Sequence, residues 1–415
     1  MESKCKWFGT ELGPWARALL IAAILFHVSM LASWRLGFWN AYTFDTTVTR
    51  GWRGYDFFAL YQAGHNVQTG ISVYESDNDK VEVVVPRYTP YRYLPLPACT
   101  VGLVLNLLPP LWAFRLWLVL TEIVYLSCVL LSWRASANCN RAAVIASLWL
   151  AFTPYYLEIY MGQFSVVQAA LVLVMLLNTM NWSGVSWIAS LLWKQNTGLL
   201  LPVMVRERKW RLILLAGTVV VAASLPYFLL FPGSLAAFMG NFRAGELSHQ
   251  MGNLGVRQWL YSLTTSLWPT IADGRYRAIQ LGWVSLVLAA SLWVTLRDKR
   301  GEPWLLICLW MTTFFLLYAD VWEHHYVMLL PVWTMLYSRR PSLWVLVPMM
   351  LIAIWTPYRM LDPIGWAAFH TPMRWTPFEP RMLDVLYHSS KALPAVGLWV
   401  HQLVLLGRSP RRSEI

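Results

Sequence analysis

The chain has 415 residues, of which 57% are hydrophobic and 13% charged, and its net charge is +12. Soluble domains carry about 25% charged residues, so this deficit, with a mean hydropathy of +0.46, excludes an ordinary soluble protein and points to a polytopic membrane protein. The basic excess sits in short loops, as retained Lys and Arg do; no basic helix or patch stands out, which argues against nucleic acid as a partner.

The first apolar run covers residues 14–35, preceded by Lys4 and Lys6. It is long for a cleaved signal and reads as an uncleaved first span. A polar stretch, 36–92, follows. Further spans are expected at 94–108 and 111–133, divided by Pro109-Pro110, then at 142–160, 164–180 and 184–205. The last of these stops at the basic run 206–211. Spans at 212–231, 277–296, 303–319, 325–338, 342–357 and 386–406 complete the series, with a short interfacial helix at 256–268 inside the polar stretch 232–276. A Pro- and Trp-rich stretch occupies 358–382. The chain therefore reads as one integral membrane unit, 1–415, all-α, with about 12 transmembrane helices and interfacial helices in its long outer loops.

Lys and Arg favour the cytoplasmic side. With the N-terminus inside, the loops 206–211, 297–302, 339–340 and 408–412 fall inside, and 36–92, 232–276, 320–324 and 358–382 fall outside. The same count places Arg134 and Arg141 outside and Gly162-Gln163 inside. The 26 Trp and 19 Tyr suit membrane–water interfaces and also sugar stacking. Five Cys without paired spacing give no disulfide framework and no metal knuckle.

Four places carry candidate chemistry. Asp56 lies in the first outer loop, within "RGYDFFALYQAGHNVQTGISVYE". Taken alone it reads equally as a solvated acid, and Asp45 is a second candidate. "YADVWEHHYVMLLP" sets Asp320, Glu323, His324 and His325 where one span ends and the next begins, a costly place for ionisable groups. Adjacent His on a helix point about 100° apart and seldom share a metal; a lipid phosphate suits them better, and interfacial His reaching to water is the alternative. Lys194, in "LLWKQNTGLLLP", lies inside an apolar run. It implies either a break around a polar cavity or a neutralising partner such as Glu158. "HQMGNLGVRQWL" offers Asn253 and Arg257 to a polar site, or is an ordinary interfacial loop. The "DND" at 77–79 sits in a solvated loop.

Taken in order, these pieces resemble glycosyltransferase family 87, of the GT-C type. The resemblance rests on Asp56, Tyr61, Ala63, Gly70 and Tyr74; on the aromatic–Pro entry "YRYLPLP", which contains Tyr93; on Gly162-Gln163; on Lys194 and Pro202; on Asn253; and on Trp322, Glu323, His324, His325, Leu329, Leu330 and Pro331. Leu94-Pro95 replaces the family's double Pro, and the Lys-to-Pro spacing is looser. The family includes the polyprenol-phosphate-mannose-dependent mannosyltransferase of phosphatidylinositol mannoside synthesis.

The resemblance implies transfer of a hexose, mannose first, from a polyprenyl-phosphate donor to a lipid or glycan acceptor at the extracytoplasmic face of the cell membrane. It implies Asp56 as base in one inverting displacement. Tyr61, Tyr93, Gln163, Lys194, Asn253, Arg257, Trp322, Glu323, His324 and His325 would serve the substrates and the donor phosphate, with no metal or other cofactor. Arabinofuranose or glucose are alternative sugars. A flippase of lipid-linked sugars or a scaffold subunit are the rival classes.

Overall fold

The computed structural model describes residues 12–36, 53–177, 182–244, 252–271, 273–298, 302–354, 356 and 381–407. Asp45, most of the stretch 358–382 and the basic tail 408–412 lie outside them. The described residues are helical, apart from loops and one isolated antiparallel bridge between Asn253 and Trp322. The helices are α1 (Pro14–Leu36), α2 (Tyr55–Gln68), α3 (Pro95–Leu105), α4 (Pro110–Arg134), α5 (Cys139–Leu150), α6 (Pro154–Met161), α7 (Ser165–Leu177), α8 (Trp182–Trp193) and α9 (Leu201–Arg206). They continue as α10 (Trp210–Leu230), α11 (Ser234–Ala244), α12 (Val256–Leu267), α13 (Asp273–Arg297), α14 (Pro303–Leu317), α15 (Leu330–Arg339), α16 (Leu343–Ala353) and α17 (Arg381–Gly407). Short 3₁₀ turns, Gln195–Leu200 and Glu323–Leu329, lead into α9 and α15.

Local chemistry sets these boundaries. Pro110, Pro154 and Pro303 open α4, α6 and α14, where a missing N–H costs nothing. Asn138 caps α5 by accepting from Arg141 N at 3.0 Å, and Ser342 caps α16 by accepting from Trp344 N at 3.1 Å. Among the described residues, four helices are long and apolar enough to cross a membrane: α1, α4, α10 and most of α13. The pair α5 and α6, bent by 42°, makes a fifth candidate. The chain is a multi-pass membrane protein, and α14, α15 and the turn between them contribute the fully buried Trp310, Phe315, Tyr326 and Trp333 to its core.

Three expectations are corrected. Residues 94–108 do not form a crossing. They make the short α3, which lies along α2: a Cβ on Gly64 would stand 2.4 Å from the carbonyl carbon of Gly102. Asn106 Nδ2 donates to the Tyr61 carbonyl at 2.8 Å, so the C-terminal half of α3 stays beside α2. An apolar helix buried against a neighbour has the same composition as a span.

The second correction follows from the first. Without that crossing, 134–141 moves to the opposite end of the bundle. Arg141 Nη1 donates to the Ser338 carbonyl at 2.6 Å, next to the basic pair 339–340, and Asn140 accepts from Gly13 N at 2.7 Å. Gly162-Gln163 moves to the other end, where Gly54 N donates to the Tyr160 carbonyl at 2.8 Å. Residues 184–205 then supply a compensating reversal. Lys194 is extended (φ −151°, ψ 100°), and the chain folds back so that Ser190 and Thr197 hydroxyls meet at 2.6 Å. One crossing lost and one reversal gained cancel. The basic residues therefore still share one end: Arg206 pairs with Asp298 at 3.0 Å and Arg340 with Glu302 at 2.7 Å.

Third, Cys139 is disulfide-bonded, which the spacing of the five cysteines did not suggest. Cys99, Cys128 and Cys308 are free.

Candidate active site

The end of the bundle opposite the basic residues gathers four segments around Asp56. This residue opens α2 just after Gly54, whose φ of +75° glycine adopts without strain. Thr89 Oγ1 donates to Asp56 Oδ1 at 2.9 Å, and Gln163 Nε2 donates to Oδ2 at 2.8 Å. Gln163 is itself oriented, because the Tyr93 hydroxyl donates to its Oε1 at 3.3 Å. The turn that carries Gln163 depends on Gly162, at φ +66°, where a Cβ would stand 2.6 Å from Phe57 Cβ.

Burial pushes the Asp56 carboxyl up from its ordinary value. The bonds from Thr89 and Gln163 and the positive charges of Arg92 and Lys194 pull the other way without cancelling it. The result is an oriented carboxylate, more basic than a solvated one, with a lone pair left on each oxygen.

Lys194 reaches the same end. Its Nζ donates to Ser165 Oγ at 3.0 Å and lies 6.0 Å from the centre of the Tyr93 ring. Its charge acts on Asp56 and on Glu158, and the helix breaks at this residue. Gln168 holds the break by donating to the Lys194 carbonyl at 3.1 Å and to Asn196 Oδ1 at 2.6 Å.

His324 and His325 lie within the electrostatic reach of Lys194, their ring centres 4.3 Å apart. His325 Nδ1 accepts from Trp322 N at 3.0 Å, which leaves Nε2 of the neutral ring as a donor. Neither ring nitrogen of His324 has a hydrogen-bond partner among the described residues, although the side chain is buried. A buried, unsatisfied imidazole is costly and is suited to a ligand. Asp320 Oδ1 accepts from the Trp322 indole at 2.8 Å. Leu60, Tyr93, Pro97, Phe164 and Trp193 line a small apolar hollow of about 10 Å³ beside this cluster.

Four expected substrate contacts are not brought to the cluster. The Tyr61 hydroxyl donates to the Leu108 carbonyl at 2.8 Å, tying α2 to the end of α3. Asn253 joins the loop before α12 to the loop after α14: its Nδ2 donates to Ala319 O at 2.6 Å, and its Oδ1 accepts from Val321 N at 3.0 Å. Glu323 pairs with Lys391 of α17 at 3.3 Å and accepts from Thr356 N at 3.2 Å. Arg257 donates to Gln280 at 2.8 Å, between α12 and α13. Trp322 acts through Asp320 and His325. Thr89 and Arg92 were missed, since only contacts made across the fold single them out. Among the described residues, no three His, Cys, Asp or Glu side chains converge as a metal site would.

A helical bundle with apolar crossings, holding one oriented carboxylate among cations and imidazoles at one end, defines a membrane protein with a polar reaction site. The chain belongs to glycosyltransferase family 87, whose family model matches residues 93–319. It is a membrane glycosyltransferase. Tyr93, Gln163 and Lys194 fall inside the matched stretch; Asp56, His324 and His325 fall outside it. Among solved structures, the chain is similar to ArnT from Cupriavidus metallidurans bound to undecaprenyl phosphate, at 15% identity over 92% of this chain and 77% of that one, with a TM-score of 0.41. No curated protein matches it.

Proposed function

We propose that the protein is a GT-C enzyme that moves a hexose, with mannose the first choice, from a polyprenyl-phosphate carrier to a lipid or glycan acceptor at the extracytoplasmic face. The observation that carries this reading is the Asp56 carboxylate, fixed by Thr89 and Gln163, with Lys194, His324 and His325 close by. Asp56 takes the proton of the acceptor hydroxyl as that oxygen bonds to the anomeric carbon. The bond from that carbon to the phosphate oxygen breaks on the opposite side, so the configuration inverts. The polyprenyl phosphate leaves as an anion and needs no proton. It does need hydrogen-bond donors and positive charge where its negative charge builds, and His324, His325 and Lys194 supply them. The reaction as drawn uses no metal.

The test is transfer by the purified protein in proteoliposomes. Polyprenyl-phosphate-mannose should serve as donor, with activity persisting in excess chelator. Transfer from a nucleotide sugar with no lipid carrier present would contradict the reading. A preference for the arabinofuranose or glucose carrier would change the sugar and leave the mechanism standing.

A further inference from the structure

Arg92 has no place yet in this scheme. Its side chain is 48% exposed, whereas Lys194, His324 and His325 are buried, so an anion entering the site meets Arg92 first. Its segment is fixed to the site on both sides: Thr89 holds Asp56 and Tyr93 holds Gln163. The guanidinium acts electrostatically on Asp56 and Tyr93.

The resting partner of Arg92 is Asp320, at 3.7 Å. That separation is longer than a hydrogen bond, and an ion pair in which the Arg92 side chain is half exposed contributes little to stability. Asp320 is better held on its other side, by the Trp322 indole at 2.8 Å. Trp322 N in turn donates to His325 Nδ1 at 3.0 Å. A continuous chain of contacts thus runs from the outermost cation to the buried imidazoles. A guanidinium binds phosphate oxygens in a bidentate fork, more strongly than it holds a carboxylate at this distance.

We propose that Arg92 is a recognition residue for the carrier phosphate and that Asp320 is its resting counter-ion, released as the phosphate takes the guanidinium. This rests on the carrier-lipid reading above. The same chemistry would suit the phosphodiester of a phospholipid acceptor; the position of Arg92, electrostatically coupled to Asp56 and joined through Asp320 and Trp322 to His325, favours the carrier.

The experiment measures binding of undecaprenyl phosphate, and separately of phosphatidylinositol, to the purified protein in nanodiscs. Arg92→Ala should weaken undecaprenyl phosphate binding about tenfold or more, as loss of charged hydrogen bonds does, and Arg92→Lys should recover part of it. Asp320→Asn keeps an oxygen for the Trp322 indole and removes the competing charge. It should tighten binding several-fold, and the double variant should return to the level of Arg92→Ala. If Asp320→Asn weakens binding as Arg92→Ala does, the pair is a structural clasp and the proposal fails. It also fails if Arg92→Lys and Arg92→Ala both bind as the parent does, or if only phosphatidylinositol binding responds. A parent protein that binds no undecaprenyl phosphate overturns the carrier reading itself; a parent that binds while the variants bind equally overturns only the role of Arg92.

Discussion

Gln163 donates its side-chain amide to Asp56 at 2.8 Å, across 107 positions of sequence. That contact couples the turn after α6 to the start of α2 and gives Gln163 a positioning role. It also stabilises the ionised form of a carboxyl that burial has pushed up.

A pH dependence follows from this contact. A base works ionised, so activity should be present above the raised pKa of Asp56 and lost as pH falls through it. The acid limb should lie above the ordinary Asp value of about 4. Gln163→Ala removes a donor that favours the anion, so the limb should move to higher pH, by about one unit. Turnover near neutrality should fall while the donor KM changes little. A pH–rate profile that keeps its position would show that Gln163 only packs.

The imidazole pair gives a second prediction. Removing one preorganised donor from a site of developing negative charge costs about 10²–10³ in turnover. His324→Ala should show a loss of this size in kcat/KM for the lipid donor, since its nitrogens have no protein partner in the described residues. His325→Ala should do the same and should also loosen Trp322, which bonds to it. Parent-like kinetics with both variants would leave the pair a structural role.

Glu323 is expected to behave differently from its neighbours. It is buried against Lys391, whose Nζ also donates to the Ile352 and Ile354 carbonyls. Breaking a buried pair on one side costs about 3–5 kcal/mol. Lys391→Met alone should lower the melting temperature sharply, and adding Glu323→Leu should restore much of it. Equal stability of the single variant and the parent, by thermal unfolding in detergent, would contradict this account.

Much of this site was legible in the sequence. Lys194 and the His pair were marked by ionisable groups set against hydrocarbon, whereas Asp56, in a polar loop, and Gln163 stood out through the family resemblance; the structure places them near one another. Side-chain direction was not legible. Tyr61, Asn253, Arg257 and Glu323 sit in the right segments, but each is spent on holding one segment to another. The apolar run 94–108 has the composition of a span, and only the close approach of Gly64 to Gly102 reveals that it lies on α2. Thr89 and Arg92 belong to a loop with no periodicity to read. The basic ends of the spans stayed interpretable, because the lost crossing and the reversal at Lys194 offset each other.

The revised chain path is testable by cysteine labelling in intact cells. Sites at Asn140 and Arg208 should behave alike, protected from an impermeant probe, while Asp79, exposed in the first outer loop, should react. Reaction at Asn140 with protection at Arg208 would return 134–141 to the opposite face.

The central claim is that Asp56 removes the acceptor proton. Asp56→Asn keeps the size of the side chain and an oxygen to accept from Thr89, but it cannot take up that proton. Turnover measured at saturating donor and acceptor should fall by about 10²–10⁴, while undecaprenyl phosphate binding and thermal stability stay close to those of the parent. Near-normal turnover of the Asp56→Asn enzyme would contradict the account and move the search for the base to Asp320 and Glu158.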